Sequence, residues 1–308
     1  MHLRCLIFIF WLSLIGGPVV TAATVVVVSS ERSAAYLEAA EALVGELEKG
    51  GLPRQEVLHI SAAEWSASGS LTPKLWVALG AQAADTLARA QLRTPVLVTL
   101  LPRVSFERSL RLIGRKSSPR FSALCLDQPL GRQLDLIRLA LPEAHRIGVL
   151  WGPETKGQAP ALKAAAMAKG LELVEADVGH DEALFPALKY ALDGTDLLLA
   201  LPDSRVYNSG SIQNILLASF RARVPMLAFS PAYVRAGALL AVYVTPAQIG
   251  RQAATMALTL LQGKSLPETP AYSRDFEVAV NEHVARSLGL TLDAHKLRQE
   301  LRRMEGLP

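Results

Sequence analysis

Residues 197–243 read LLLALPDSRVYNSGSIQNILLASFRARVPMLAFSPAYVRAGALLAVY. An apolar run from Leu197 to Leu201 stops abruptly at Pro202-Asp203-Ser204, and a segment of helical spacing, 211–223, follows. A second apolar run, 225–229, then stops at Ser230-Pro231. Strand, polar loop, helix, strand, polar loop is the alternation of a parallel α/β sheet. Both polar loops follow strands, which puts both at the carboxyl edge of the sheet, where folds of this kind bind ligands. The stretch therefore reads as one side of a cleft for a small molecule.

The same alternation extends towards the N-terminus. Residues 24–28, TVVVV, have the uninterrupted β-branched character of a strand buried on both faces. A helix to Glu48 carries Tyr36, Ala40, Leu43, Val44 and Leu47 at helical spacing, and Gly50-Gly51-Leu52-Pro53 stops it. Strands at 57–60, 75–79 and 96–100 and a helix at 81–93 complete a first lobe. Residues 105–120 are basic and read as an irregular surface segment leading to a strand at 121–126. After Asp127-Gln128-Pro129 a helix with Leu130, Leu134, Ile137 and Leu141 on one face opens a second series, with strands at 146–151, 171–176 and 196–201. Beyond the opening stretch come a long helix at 246–262, an extended link at 267–272, a strand at 276–280 and a short helix at 281–288. A charged tail, 293–308, is expected to form a surface helix that frays. The expected fold is α/β, two Rossmann-like lobes with parallel sheets.

The N-terminus has a different character. A positive start ending at Arg4, an apolar run over 5–15, a Gly16-Gly17-Pro18 break and small residues at Val20–Ala23 are the parts of a secretory signal peptide. The run is shorter than the ~20 residues that span a bilayer, so cleavage near Ala22 or Ala23 is expected, with an uncleaved anchor as the alternative. Beyond the leader only Cys125 remains, which excludes an intrachain disulfide, and its apolar neighbours mark it as a buried small hydrophobe. The chain carries a formal net charge of +4. No basic stripe interleaves with aromatics, so nucleic acid is not an expected partner.

Catalytic and cofactor signatures are missing. Gly80-Ala81-Gln82 follows a strand and opens a helix but lacks the G-x-G-x-x-G spacing. There is no Walker loop, no G-x-S-x-G elbow and no H-E-x-x-H motif, and the histidines, His180 among them, lack metal-ligand spacing. No cofactor, no metal and no enzymatic activity are expected. Polar groups on strand-to-helix loops are the candidates for ligand contact: Ser29, Ser30, Ala81, Gln82 and Thr99 in the first lobe, and Trp151, Asp203, Asn208, Ser230 and Tyr233 in the second. Backbone N–H groups at Ala81 and Gln82 suit a carboxylate or phosphate. Asp203 suits an ammonium, and Trp151 or Tyr233 suits an apolar or aromatic body. Each also has a structural role open to it. Asp203 after Pro202 can organise a turn, Ser29 or Ser30 can cap a helix, Trp151 can pack under the lobe interface, and Asn208 can start the next helix.

Several stretches together resemble one known family: WVALGAQAADTL, LPEAHRIGVLWGPE, ALPDSRVYN, RVPMLAFSPAYVRAGALLAVYVTPAQIGRQAA, LLQGKSLP and FEVAVNEHVARSLGL. They are similar to the type I periplasmic solute-binding proteins of ABC transporters, in the group that includes tryptophan- and other aromatic amino-acid-binding members. The resemblance implies lobes joined by a three-segment hinge, with crossings near 126–128, 242–245 and 270–276. Lobe one would comprise 24–126 and 245–272, and lobe two 127–244 and 273–292. It further implies closure on a small solute, an amino acid or similar carboxylate, and delivery of that solute by a periplasmic monomer to an inner-membrane ABC permease. A periplasmic ligand sensor or accessory protein of the same fold is the alternative. The loop SSERSAAY after the first strand departs from the loop that family members use.

Overall fold

The structure, a computed structural model, describes residues 23–67, 71–90, 92–179 and 184–307. The leader reading of 1–22 and His180 fall outside the described residues. In chain order the elements are β1 (Val25–Ser29), α1 (Ala34–Lys49), β2 (Val57–Ser61), β3 (Leu75–Leu79), α2 (Ala81–Arg89), β4 (Val96–Thr99), α3 (Arg103–Leu112) and β5 (Phe121–Cys125). Then follow α4 (Leu130–Ala140), β6 (Arg146–Trp151), α5 (Ala159–Met167), β7 (Glu172–Asp177), α6 (Leu184–Leu192), β8 (Leu197–Leu199), α7 (Ile212–Ala222), β9 (Met226–Ala228) and α8 (Pro231–Ala236). The chain ends with β10 (Leu240–Tyr243), α9 (Pro246–Leu261), β11 (Ala271–Tyr272), β12 (Glu277–Val280), α10 (Glu282–Ser287) and α11 (Ala294–Met304).

Two six-stranded sheets result, in the orders β11-β5-β4-β3-β1-β2 and β12-β10-β9-β8-β6-β7. The valine run of β1 shows why the strands carry no alternation. Val25 and Val27 face one apolar layer while Val26 and Val28 face the other, so no residue of that run meets water. The expected α/β fold is thus observed, with one strand reversed: β12 runs antiparallel to β10. The chain passes between the sheets three times, after β5, after β10 and between β11 and β12.

The last two passages work because α9 returns to the first sheet and lies on α1. Small residues make the approach close. Gly250 faces the Ala39 carbonyl, where any Cβ would clash with backbone, and Ala253, Ala254 and Ala257 continue the seam beside Leu43. Helix axes approach most closely where the facing side chains are smallest.

Three segments differ from the sequence expectation. Residues 103–112 form a regular helix, α3, that buries Val104, Phe106, Ser109 and Leu110 while Arg108 and Arg111 face solvent. The density of arginines hid a short amphipathic pattern that starts just after Pro102. Ser230-Pro231 opens α8, because the Ser230 hydroxyl accepts from Ala232 N–H at 3.2 Å and proline suits the first turn. The C-terminal helix does not fray. Asp293 caps α11, and Leu297 and Leu301 are buried in the core of the second sheet. Cys125 lies within the apolar layer of the first sheet, where burial pushes its thiol well up, the nearby Asp127 charge adding to the effect.

The α1–α9 seam and the open side of α1 make opposite predictions. Gly250→Val is expected to lower the unfolding free energy by ~2 kcal/mol or more, since the added atoms meet fixed backbone. Gly45→Ala, in the same pair of helices but with open space around the new methyl, is expected to raise it by ~0.5–1 kcal/mol. Urea unfolding of both variants checks the pair.

Candidate ligand-binding cleft

The carboxyl ends of strands from both sheets converge on one cavity of about 610 Å³, a size within the range of small-molecule sites. Leu100 follows β4, Leu126-Asp127-Gln128 follow β5, Pro202 lies beyond β8, and Phe229, Ser230 and Pro231 follow β9. The passage from β10 into α9 contributes Val242 to Pro246, and the first turns of α1 contribute Ala35, Tyr36 and Glu38. Leu100 holds φ at 58°, a left-handed conformation that costs a side-chain-bearing residue ~1–2 kcal/mol. That strain sits on the cavity wall.

The wall is apolar and aromatic with acidic points. Tyr36, Phe229 and Tyr243 supply rings. Phe229 is braced from behind: Tyr207 meets it edge-on at 6.0 Å between centroids and Tyr233 at 5.0 Å. Burial raises the hydroxyl pKa of all four tyrosines. The proximity of Glu31 adds to the rise at Tyr36 and that of Glu277 at Tyr243, so these phenols stay neutral at physiological pH.

The charged wall residues are Glu38 and Asp127, and among the described lining residues there is no Lys, Arg or His. Glu38 Oε1 accepts from Ala247 N–H at 3.3 Å, at the start of α9. Asp127 accepts from Arg103 N–H at the start of α3. Burial pushes the Asp127 carboxyl up to about 6, with the Arg103 N–H bond and charge opposing the rise. The Arg103 guanidinium makes its hydrogen bonds elsewhere, with Nε on Glu107 at 2.7 Å and a terminal nitrogen 3.3 Å from the Tyr272 hydroxyl.

Of the ten residues singled out from sequence, one lines this cavity: Ser230. Tyr233 lies directly behind Phe229. Ser30 is close by, but its hydroxyl donates to Leu79 carbonyl at 2.8 Å and accepts from Ala83 N–H at 3.0 Å, which fixes the start of α2 against β3. Gly80 is required there, since at φ 85° any Cβ would strike the Tyr36 hydroxyl and Ser30. Ala81 and Gln82 are exposed on the first turn of α2. Ser29 is buried with its hydroxyl 2.6 Å from His59 Nε2, in a separate recess of about 230 Å³. Burial, followed by the charge of Arg32, lowers the pKa of His59. From the middle of β2 the His59 side chain thus reaches Ser29 at the carboxyl end of β1, a pairing that loop reading did not anticipate.

The remaining four serve the fold in place of a ligand. Thr99 is buried and donates to Leu124 carbonyl at 2.8 Å. Trp151 is buried and donates to Glu175 at 2.8 Å. Asp203, expected to face an ammonium, is 2% exposed. Its Oδ2 accepts from Glu154 N–H at 3.0 Å, Thr155 N–H at 2.9 Å and Thr155 Oγ1 at 3.0 Å, and its Oδ1 accepts from Arg205 N–H at 3.0 Å. It staples the loop after β8 to the loop after β6, and Gly152 leaves the room it fills. Asn208 donates to Ser204 carbonyl and accepts from Gly210 N–H, each at 3.0 Å, ahead of α7. The wall residues missed from sequence, Tyr36, Asp127 and Tyr243 above all, sit on a helix turn, a crossing and a strand end. The coincidence of crossings with strand ends marks Asp127 and Tyr243 in the sequence, and nothing local marks Tyr36.

Residues 70–300 match the family model described as ABC transporter substrate binding protein. A tyrosine-binding protein of Clostridioides difficile strain R20291 is 23% identical over 220 residues, 69% of this chain and 62% of that protein, so the match spans less than two-thirds of that relative. Among solved structures, a ligand-free, open substrate-binding protein with adhesive properties from Clostridium difficile superposes with a TM-score of 0.67 at 20% identity, covering 88% of this chain and 96% of that one. A conserved domain protein from Vibrio cholerae O1 biovar El Tor N16961 gives 0.60 at 21%, covering 90% and 98%. An ABC domain in complex with L-Trp from Streptococcus pneumonia gives 0.58 at 17%, also covering 90% and 98%. At these identities the superpositions establish a common fold.

Two titrations follow from the geometry. Asp203→Ala is expected to cost ~2 kcal/mol or more, because it strands buried N–H and O–H donors; chemical unfolding measures it. The raised Asp127 pKa means that the folded chain holds this proton more tightly than the unfolded chain does. Its stabilising contribution is therefore full below about pH 4 and lost as pH rises through about 6. Asp127→Asn removes the loss, so the melting temperature of the variant relative to wild type should rise between pH 4 and pH 7.

Proposed function

The chain belongs to the ABC transporter substrate binding protein family, and we propose that it captures a small organic solute in the cavity between its two sheets. In this reading residues 24–126 with 245–272 act as one jaw and 127–244 with 273–292 as the other. The three chain passages serve as the hinge. The observation that carries it is the composition of the cavity. Residues after β4, β5, β8, β9 and β10 meet there, and two of the wall segments, 126–128 and 242–246, are themselves chain passages. A solute touching Tyr36 on one side and Phe229 on the other would favour the closed form by its differential contact with the two jaws.

The jaw faces support the same reading. Braced aromatic rings such as Phe229 bury large area at little entropic cost. The tyrosine-binding relative and the L-Trp-bound neighbour make an aromatic solute a natural first test. Export by the N-terminal leader and hand-over to a membrane permease complete the proposal. No step in it requires a cofactor, a metal or bond-breaking chemistry.

A thermal-shift screen of aromatic amino acids, aromatic amines and sugars at millimolar concentration checks the reading. At least one solute should raise the melting temperature, and Phe229→Ala and Tyr243→Ala should each weaken its binding about tenfold or more (~1.4 kcal/mol). A screen without any shift, repeated by native mass spectrometry of gently purified protein and finding nothing bound, would sink it.

A further inference from the structure

We infer that the solute of this cleft is a cationic amine on an aromatic or apolar body, and that it lacks a free carboxylate. The inference rests on the capture reading and sharpens it to a chemical class. The charge of the wall carries it, and the seating of the same two carboxylates at helix ends supports it.

The wall has rings at Tyr36, Phe229 and Tyr243, carboxylates at Glu38 and Asp127, and no basic side chain among the described lining residues. A buried carboxylate needs a paired cation or several hydrogen-bond donors to offset its lost hydration. Here it would instead meet the part-buried carboxylate of Asp127 and, at the exposed rim, that of Glu38. An ammonium meets the opposite situation, with carboxylates to pair and ring faces that attract cations by ~0.5–2 kcal/mol each.

Helix N-termini are the usual alternative for gripping an anion, because their free N–H groups and dipole favour negative charge. Of the helices that begin at this cavity, α9 and α3 each already hold an acid from the chain itself and α8 is capped by Ser230, whereas the first turns of α1 and α4 carry no side-chain cap. Glu38 accepts from Ala247 N–H on α9, whose first turn is closed further by Thr245 Oγ1 accepting from Gln248 N–H at 3.2 Å. Asp127 accepts from Arg103 N–H on α3. At α9 and α3 the positions that would receive a ligand carboxylate are filled. The Arg103 guanidinium is hydrogen-bonded to Glu107 and Tyr272 and forms no ion pair with Asp127, whose charge it offsets only from a distance.

Isothermal titration with matched sets separates the classes: tyramine, tyrosine and 4-hydroxyphenylacetate, and tryptamine, tryptophan and indole-3-acetate. The expected result is binding of an amine at least ten times tighter than that of its amino acid, with no heat from the acid. Asp127→Asn and Glu38→Gln should together weaken the amine tenfold or more in protein that retains its circular dichroism. An amino acid or acid that binds as well as the amine, or a sugar that binds in its place, overturns the inference and leaves solute capture standing. Amine binding indifferent to both carboxylates overturns it as well. Failure of every solute class removes the capture reading itself.

Discussion

One buried cation ties the molecule together. Arg132, 4% exposed, lies one turn into α4, just beyond the first passage between the sheets. Its guanidinium donates to Gln128 Oε1 at 2.7 Å, to Ser273 carbonyl at 3.1 Å and to both oxygens of Glu305, at 2.7 and 2.5 Å. The face of Phe276 lies 4.1 Å from its central carbon. Gln128 belongs to the first passage and to the cavity wall, Ser273 and Phe276 to the third passage, and Glu305 to the end of the last helix. A buried guanidinium is costly unless its donors are met, and these donors are met only when all four segments are in place. Passages distant in sequence are thereby held in one register, and α11 becomes part of the frame. Arg298 on Glu277 and Arg302 on Asp275 repeat the same tie along the helix.

A frame pinned at the passages explains why the cavity lies where it does. Parallel strands from both sheets end at the same level, and the passages run across the gap between those ends. The residues that close the floor are therefore passage residues, Leu126 to Gln128 and Val242 to Thr245. The neighbouring loops are held by local hydrogen bonds, such as the Asp203 staple and the Ser30 link between β3 and α2. Order in these loops keeps Phe229 and Tyr36 at fixed depth on opposite walls, which is the preorganisation that limits the entropy lost when a solute binds.

The fold was legible in the sequence because burial on both faces forces continuous apolar runs, and 24–28, 75–79 and 197–201 could be little else. The short helix α3 escaped because its buried face has few residues and its exposed face is dense in arginine. The site was far less legible. Polar residues after strands looked available, yet a loop must first satisfy its own backbone donors. Asp203, Asn208, Ser30 and Thr99 are all spent in that way. The residues that do form the wall carry no local mark. Tyr36 reads as a core position of α1, and Tyr243 as one more strand residue. Asp127 reads from sequence as the start of a helix cap and part of a crossing at 126–128, whereas its side chain accepts from the N–H of Arg103 on a different helix, 24 residues back in the chain.

Asp127 is also where stability and ligand recognition pull apart. Burial raises its pKa to about 6, so at neutral pH the chain maintains a charge in a place that opposes it. A neutral asparagine would keep an acceptor for Arg103 N–H without that cost, and a guanidinium turned inward would neutralise the charge. Arg103 is near enough to do so but is drawn off by Glu107 and by the ring and hydroxyl of Tyr272. The arrangement leaves the carboxylate on the cavity wall with backbone N–H contacts and only a partial offset from the Arg103 charge. A fold gains nothing from this by itself, since a part-buried charge without an ion pair costs hydration that its hydrogen bonds only partly return. A cation arriving from solution would remove the penalty on closure, and its binding energy would then include the relief of a strain the empty protein already carries.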